Sequence, residues 1–297
     1  MNADAVIGVP VRASVLARAL ARHDGYRVLE RMAPMDRNRC GGTSGFAFSG
    51  CAIDVETTGL HPERHKIIEL AMQRFWADDL GRIIATGKPQ SWFEDPGEPI
   101  DEGVTRLTGI TDADVAGKRI FDPVATSLIR DADFVVAHNA AFDRKFLEQR
   151  LPDIVGKPWV CTLNDVDWRG LGFEGRVLSH LLSQMGWFFE AHRAQSDVTA
   201  LLHLLDHPLD QGGTVLRSAV RRASQATWAI EAVGAPFSAK DLLRGRGYRW
   251  DPEAKLWSRE VTDDVLDAEL EWIGLEIYGG LAAPRVREVT WSSRYGA

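Results

Sequence analysis

Three short stretches hold the acids and the histidine that could do chemistry: AIDVETTGL from Ala52 to Leu60, HNAAFD from His138 to Asp143, and HRAQSD from His192 to Asp197. In the first, Asp54 and Glu56 stand two positions apart in a strand-like run. Both project from one face while Cys51, Ile53 and Val55 line the other. Two carboxylates that close raise each other's pKa unless a cation lies between them. Hard oxygen donors of this kind suit magnesium or manganese rather than zinc. HNAAFD ends an apolar strand at His138, places Asn139 where it can cap the next helix, and sets Asp143 near that helix's first turn. After HRAQS, the residues Val198, Leu201, Leu202 and Leu205 form an i, i+3, i+4, i+7 stripe, which puts Asp197 at the start of a packed helix. On a continuous helix His192 would be rotated about 140° from Asp197, at about 100° per residue. To share a site, His192 must come from the loop before the helix, a common place for catalytic groups. An imidazole ordinarily titrates near ~6.5 and can accept a proton at neutral pH.

In this order the three motifs resemble those of the DEDDh family of 3'-5' exonucleases, the family of the proofreading epsilon subunit of bacterial DNA polymerase III. A sister group carries a tyrosine four residues before its last aspartate, whereas the spacing of His192 and Asp197 matches the histidine form. LTGITDADV, from Leu107 to Val115, is similar to the family's connecting segment, and WVCTL to the strand before its later helices. The resemblance covers residues 46–210 and implies an RNase H-like fold with two divalent cations, Mg2+ or Mn2+, that hydrolyse phosphodiester bonds. It implies that Asp54 bridges both metals, Glu56 and Asp197 complete the first shell, Asp143 holds the second through water, and His192 is the general base. Thr57, Thr58 and Leu60 would meet the terminal nucleotide, with Asn139 completing the substrate-binding set. The implied activity is removal of nucleoside 5'-monophosphates from 3' ends of single-stranded DNA, in proofreading or repair beside a DNA polymerase or repair partner. The alternatives are an exoribonuclease trimming short RNA and a polymerase-associated binding subunit that keeps the fold. His138 matches no catalytic position of the family and reads as structural. Arg193 stands where the epsilon subunit commonly has glycine, and either reaches a phosphate or faces solvent. No clamp-binding peptide is visible.

The elements that must position these groups follow from hydrophobic periodicity. FAFSGCAIDVE, HKIIELAMQRFW and GRIIATGKPQSWF read as three consecutive strands; helices and strands then alternate, among them FVVA, AFDRKFLEQRL, WVCTL, VLSHLLSQMG and SDVTALLHLLDH. This order predicts an α/β, RNase H-like mixed sheet with flanking helices. A helix and a strand are expected over residues 12–32, and the polar, glycine-rich stretch from Ala33 to Gly45 reads as a linker. The expected domains are an extension over 1–45, a catalytic unit over 46–210, and a helix with a small α+β domain over 211–297. There TVLRSAVRRASQATWAIEAVG reads as one long helix and YRWDPEAKLWSREV as a hairpin. Between Lys240 and Arg259, six basic residues (Lys240, Arg244, Arg246, Arg249, Lys255, Arg259) are interleaved with Tyr248, Trp250 and Trp257. These aromatics either stack on a single strand or form the core of the small domain.

With 297 residues, roughly two domains of about 150 residues each are expected. A net charge of -7 excludes coating nucleic acid through a global positive field, but not a nuclease whose phosphate contacts run through metal ions. Cys40, Cys51 and Cys161 form no CxxC pair, so neither a disulfide framework nor a zinc site is indicated. No apolar run spans a membrane and the first residues lack the order of a secretory signal, so a cytoplasmic address is expected.

Overall fold

The computed structural model describes residues 12–37, 45–252 and 254–296. Helix α1 (Ala13–Leu20), which buries none of its residues, and strand β1 (Glu30–Arg31) precede β2 (Phe48–Thr57), β3 (Ile67–Ala77), β4 (Ile83–Thr86) and β5 (Gln90–Phe93). Helices α2 (Glu102–Thr108), α3 (Asp112–Val115) and α4 (Asp122–Arg130) lead to β6 (Phe134–Ala137), α5 (Ala140–Arg150) and β7 (Trp159–Cys161). Next come α6 (Leu178–Gln184), β8 (Trp187–Phe188), α7 (Ala194–Leu205) and α8 (Val215–Ser224). The chain closes with β9 (Thr227–Glu231), α9 (Lys240–Gly245), β10 (Arg249–Asp251), β11 (Leu256–Val261), α10 (Asp263–Glu276) and β12 (Arg285–Val289).

The large sheet has the order β4-β3-β2-β6-β7, with β5 also paired to β3. β2 is antiparallel to β3 and parallel to β6, which gives the mixed RNase H-like sheet. Helices cover both faces, so β2 and β3 read as nearly unbroken apolar runs. Ala52, Ala71, Phe75 and Val136 pack with α6, α7 and α8, while Cys51, Ile53, Val55 and Val135 pack with α4 and α5.

GRIIATGKPQSWF forms two strands where one was expected, because Gly87, Lys88 and Pro89 interrupt it and proline cannot donate to a ladder. Both pieces pair with β3. The long helix expected from Thr214 ends at Ser224. There the apolar period changes from 3.6 to 2, and Trp228 and Ile230, followed by Ala232 just past the strand, line one face of β9, the strand between β11 and β12. Of the strand expected before residue 33, only Glu30–Arg31 pairs, with Trp187–Phe188. The front of the expected linker is docked instead: Met35 is buried, its carbonyl accepts from Gln73 Nε2 at 3.0 Å, and Arg37 pairs with Asp206 at 2.5 Å. The rest, residues 38–44 with Cys40, lies outside the described residues.

The small sheet, β10-β11-β9-β12, covers a core of Ile230, Leu243, Tyr248, Val261 and Ile273. Tyr248 is 2% exposed, so it cannot stack on a base. Arg246 and Arg259 are committed to the fully buried Glu269, at 3.1 and 2.6 Å. Trp257 packs on this core and faces Trp250 across the hairpin. Beyond β12 the last residues return to the large sheet. Trp291 stacks on Phe134 and its carbonyl accepts from Trp159 N at 2.9 Å, while buried Arg144 of α5 donates to the carbonyls of Arg294 and Ser292 at 2.6 and 2.7 Å. No helix among the described residues is long and apolar enough to cross a membrane.

Arg144 also holds the half-buried Glu148 at 2.8 Å, so removing it strands a largely desolvated carboxylate and two carbonyls. Arg144→Ala is expected to cost about 3–5 kcal/mol in urea unfolding. A loss below about 0.5 kcal/mol, the range of a neutral surface change, would show that the tail is not an anchor.

Candidate active site

β2 outruns its parallel neighbour. Only Gly50, Cys51 and Ala52 are matched with β6, so from Ile53 onward that edge of β2 is free. The exposed backbone donor at Val55 is taken by the carboxylate of Asp143, at 3.2 Å. Asp143 is 3% exposed and sits in the first turn of α5, with Phe146 and Leu147 pinning the helix to the sheet. On the other face of β2, Asp54 lies opposite Ala71, whose small side chain leaves room, and Glu56 lies opposite Glu69. A register shift directly after Glu56 ends the regular ladder there, a device that re-aims side chains at sheet ends.

The third motif arrives on α7. Val198, Leu201, Leu202 and Leu205 are buried against the sheet, which leaves Asp197 at the helix's first turn facing β2. Its carboxylate accepts from Arg193 N at 3.1 Å, closing the turn that precedes the helix. His192 comes from this loop, as the rotation argument requires, and adopts φ 65, the left-handed conformation that costs a non-glycine residue of order 1 kcal/mol. Carboxylate oxygens of Asp54, Glu56 and Asp197 all lie within 4.8 Å of one another. Oxygens bound to one cation at about 2.1–2.5 Å must lie within about 5 Å of each other, so the three fit a single magnesium, manganese or calcium ion. Asp143 and His192 line the same cleft, of about 340 Å³, whose walls include Phe142, Leu163 and Phe189.

The electrostatics agree with a cation site. Burial, reinforced by Asp143, Asp197, Glu56 and Glu69, holds the Asp54 carboxyl well above the usual carboxylate range. Burial and the neighbouring acids push Glu56 up to about 8; burial is the largest cause at Asp143, at about 8, and at Asp197, at about 6. A divalent charge is the physical remedy for such crowding.

Of the remaining expected residues, Asn139 lines the cleft but does not cap α5. It occupies the cap position in a left-handed conformation, φ 94, and its side chain makes no capping hydrogen bond. Thr57 at the end of β2, and Thr58 and Leu60 on the turn after it, lie outside the cleft's lining. There Thr57 Oγ1 donates to Gly59 O at 2.6 Å, Thr58 Oγ1 accepts from Lys66 N at 3.0 Å, and Leu60 is 75% exposed. His138 borders the cleft with both ring nitrogens engaged, by Thr162 Oγ1 at 2.8 Å and Arg176 O at 2.9 Å. Burial lowers its pKa to about 4, so it is a neutral tie between two loops.

One acid had no motif to mark it. Glu69, 1% exposed on β3, accepts from Ala194 N at 3.2 Å, Ser91 Oγ at 3.2 Å and Arg193 Nε at 3.3 Å. Arg193 therefore faces solvent, its side chain 45% exposed, while its guanidinium is engaged within the protein rather than free for a phosphate. It lies over Phe93 and is paired to Glu69. Glu69 thus staples the His192 loop and the first turn of α7 to the strand beside Glu56. The signal that could have found it is a lone acid inside the apolar run IIELA.

A family model described as Exonuclease, of the RNase T type, matches residues 51–205. The DNA polymerase III PolC-type of Listeria welshimeri serovar 6b is 41% identical over 164 residues, 52% of this chain and 11% of that protein. That of Streptococcus suis strain 98HAH33 is 34% identical over 163 residues, 52% of this chain and 10% of that protein. The chain thus spans about a tenth of the length of these curated relatives. Among solved structures, Exonuclease X in complex with 5' overhanging duplex DNA aligns with a TM-score of 0.43 and 25% identity, over 58% of this chain and 99% of that one. E. coli Exonuclease I in complex with a 5cy-dA13 oligonucleotide aligns with a TM-score of 0.48 and 17% identity, over 83% and 64%.

Acids whose folded pKa is raised bind more protons folded than unfolded, so their contribution to stability is present below the ordinary carboxylate range and is lost as pH rises through the folded value. For Glu56 and Asp143 that window runs from their ordinary values of 4.5 and 3.8 to about 8. In chelator, thermal melts are expected to fall between pH 5 and pH 8, and added magnesium should raise the midpoint more at pH 8. Equal magnesium effects at both pH values would refute the cation site. Glu69→Gln should weaken apparent magnesium affinity about 10- to 100-fold in a titration, as loss of an orienting partner does; parental affinity would reduce Glu69 to packing.

Proposed function

Because this chain belongs to the exonuclease family through residues 51–205, we propose that it is a divalent-metal-dependent 3'-5' exonuclease that removes nucleoside 5'-monophosphates from single-stranded DNA ends. The observation that carries the reading is the convergence of Asp54, Glu56 and Asp197 within 4.8 Å, with Asp143 and His192 on the same cleft. The PolC-type relatives are DNA polymerases, which favours DNA over RNA and a replication or repair setting beside a polymerase.

In this reading Asp54, Glu56 and Asp197 would hold one magnesium or manganese ion, and Asp54 and Asp143 would hold a second. When bound, such ions supply Lewis acidity to the attacking water and the departing oxygen. His192 accepts a proton from that water as its oxygen attacks the phosphorus. The bond from phosphorus to the 3' oxygen of the penultimate nucleotide breaks, that oxygen takes a proton from solvent, to which His192 returns its own, and the terminal nucleotide leaves as its 5'-monophosphate. His192 suits the step because its loop is exposed while Glu69 and Asp197 hold the loop's base. Phe142, Leu163 and Phe189 narrow the cleft and strengthen the charge interactions inside it.

End-labelled single-stranded DNA and matching RNA, incubated with magnesium or with chelator, test the proposal directly. A ladder shortening from the 3' end of DNA, silenced by chelator, is expected. His192→Ala should lower kcat about 10²- to 10⁴-fold, the span of a general base. Removal from the 5' end, or activity that survives both chelator and Asp197→Ala, would sink the mechanism; faster loss of RNA would move the substrate to the ribonucleotide polymer.

A further inference from the structure

The active-site cleft does not stop at Leu163. Leu163 also walls a second cleft, lined by Arg169, Glu174 and Arg176, and Asn164 is shared between this cleft and a third. The third lies where the catalytic unit meets the small sheet, between Arg222, Tyr295 and Arg294 on one side and Arg249, Ser258 and Glu260 on the other. At the first junction the His138 ring holds the Arg176 carbonyl, and at the second the Arg176 guanidinium donates to Asn164 Oδ1 at 3.1 Å. The three clefts therefore follow one another around the molecule, joined by residues that are themselves tied together.

The charges along this course are unequal in availability. Glu260 is bound to Arg294 at 3.2 Å, and Asp165 accepts from Cys161 N at 2.7 Å and Tyr295 OH at 2.8 Å. Asp167 is turned onto Gly170 N at 3.0 Å, which leaves Glu174 as the acid of the wall without a hydrogen-bond donor among the described residues. Arg169, Arg176, Arg222 and Arg249 are exposed, and among the described residues none of them forms an ion pair. Exposed guanidiniums spaced along a groove match the oxygens of successive phosphodiesters.

Strand geometry decides which face of the small sheet is offered. Side chains alternate, so Arg249, paired to Ser258, and Glu260 point away from the core, whereas Trp250 and Trp257 share the other face, where Trp257 packs on the core and Trp250 is 49% exposed. The tryptophans therefore do not line the third cleft. Its lining is mostly polar and charged.

We infer that the three clefts are one track for the single strand of nucleic acid lying 5' of the reacting end, held through its phosphates by Arg176, Arg169, Arg222 and Arg249 and leading to the outer face of the small sheet. The inference rests on the nuclease reading of the active site and adds the course of the polymer to it. A strand held in this way is bound with strong salt dependence and little base preference, since the contacts run to its phosphates rather than to base edges.

The test uses the full chain in chelator, so that binding is read without turnover. Fluorescence anisotropy with labelled single-stranded DNA of about 4 and about 16 nucleotides compares the parent with Arg222→Glu/Arg249→Glu over a salt series. The long strand should bind the variant at least about tenfold more weakly at low salt, with the log-log salt slope reduced by about 1.4, from two contacts at about 0.7 each. The milder pair Arg222→Gln/Arg249→Gln should move the slope the same way, which covers a variant that folds poorly. Parental affinity and slope in both pairs overturn the track. So does loss of binding in Trp250→Ala alone, which would hand the strand to stacking. Turnover of the short substrate by the parent with magnesium reads the nuclease assignment separately: its absence would sink that assignment while the anisotropy still decides the track.

Discussion

Repulsion among five carboxylates is the constraint around which the catalytic unit is built. Asp54 and Glu56 on β2, Asp143 on α5, Asp197 on α7 and Glu69 on β3 are brought together where water is scarce. Three of the five are partly relieved by the protein itself. Asp143 takes Val55 N, Asp197 takes Arg193 N, and Glu69 takes a helix N-terminal amide, a hydroxyl and a guanidinium. Asp54 and Glu56 accept no hydrogen bond from a described protein group. Their remedy must come from outside, and that asymmetry separates carboxylates that position from carboxylates that bind.

The architecture supplies the required precision through short, rigid elements. β6 stops early, which frees the edge that Asp143 occupies; α7 is locked by four buried aliphatic side chains, which aims Asp197; and the Glu69 staple confines the strained loop of His192. The chain's end contributes as well. Trp291 extends the edge of the large sheet beside β7, and Arg144, the neighbour of Asp143, is saturated by carbonyls of residues 292 and 294. Arg294 in turn donates to Ala223 O at 2.7 Å and Thr227 Oγ1 at 2.8 Å, binding the small sheet to α8. The tail is thus a strap between the two sheets, and a deletion made after residue 234 would remove part of the catalytic unit's own packing.

What could be read from sequence was local. Each acid of the three motifs travels with its own strand, cap or helix stripe, so Asp54, Glu56, Asp143 and Asp197 were legible with the elements that bear them, and His192 was legible as a loop residue from rotation alone. Glu69 was not, because a buried acid in an apolar strand shows its purpose only once β3 is laid beside β2 and under Arg193. The helix-to-strand change at Ser224 was missed because a helix rich in arginine ran directly into TWAIE without glycine or proline to mark the boundary. For Tyr248 and its arginines a binding face and a small core stayed open alternatives, because their partner, Glu269, lies on a later helix. Asn139 fits a helix cap by type, yet its backbone is left-handed.

The same constraint bears on whether this fold is kept for catalysis or only for binding. A binding subunit gains nothing from Asp54 and Glu56 as acids: asparagine and glutamine have nearly the same shape, remove the like-charge repulsion, and would leave β2 more stable without metal. Local rules are broken at working sites, where the loss in stability is offset by what the site then does. Here the violation falls on the two side chains that the protein leaves without donors, 4.8 Å or less from Asp197, in a cleft that His192 also lines. The strained backbone of His192 adds a second unfavourable term at the same place, again of a kind that packing alone does not require. Two costs that coincide at one cleft, each removable by a conservative substitution, are what a reaction needs and a mere platform does not.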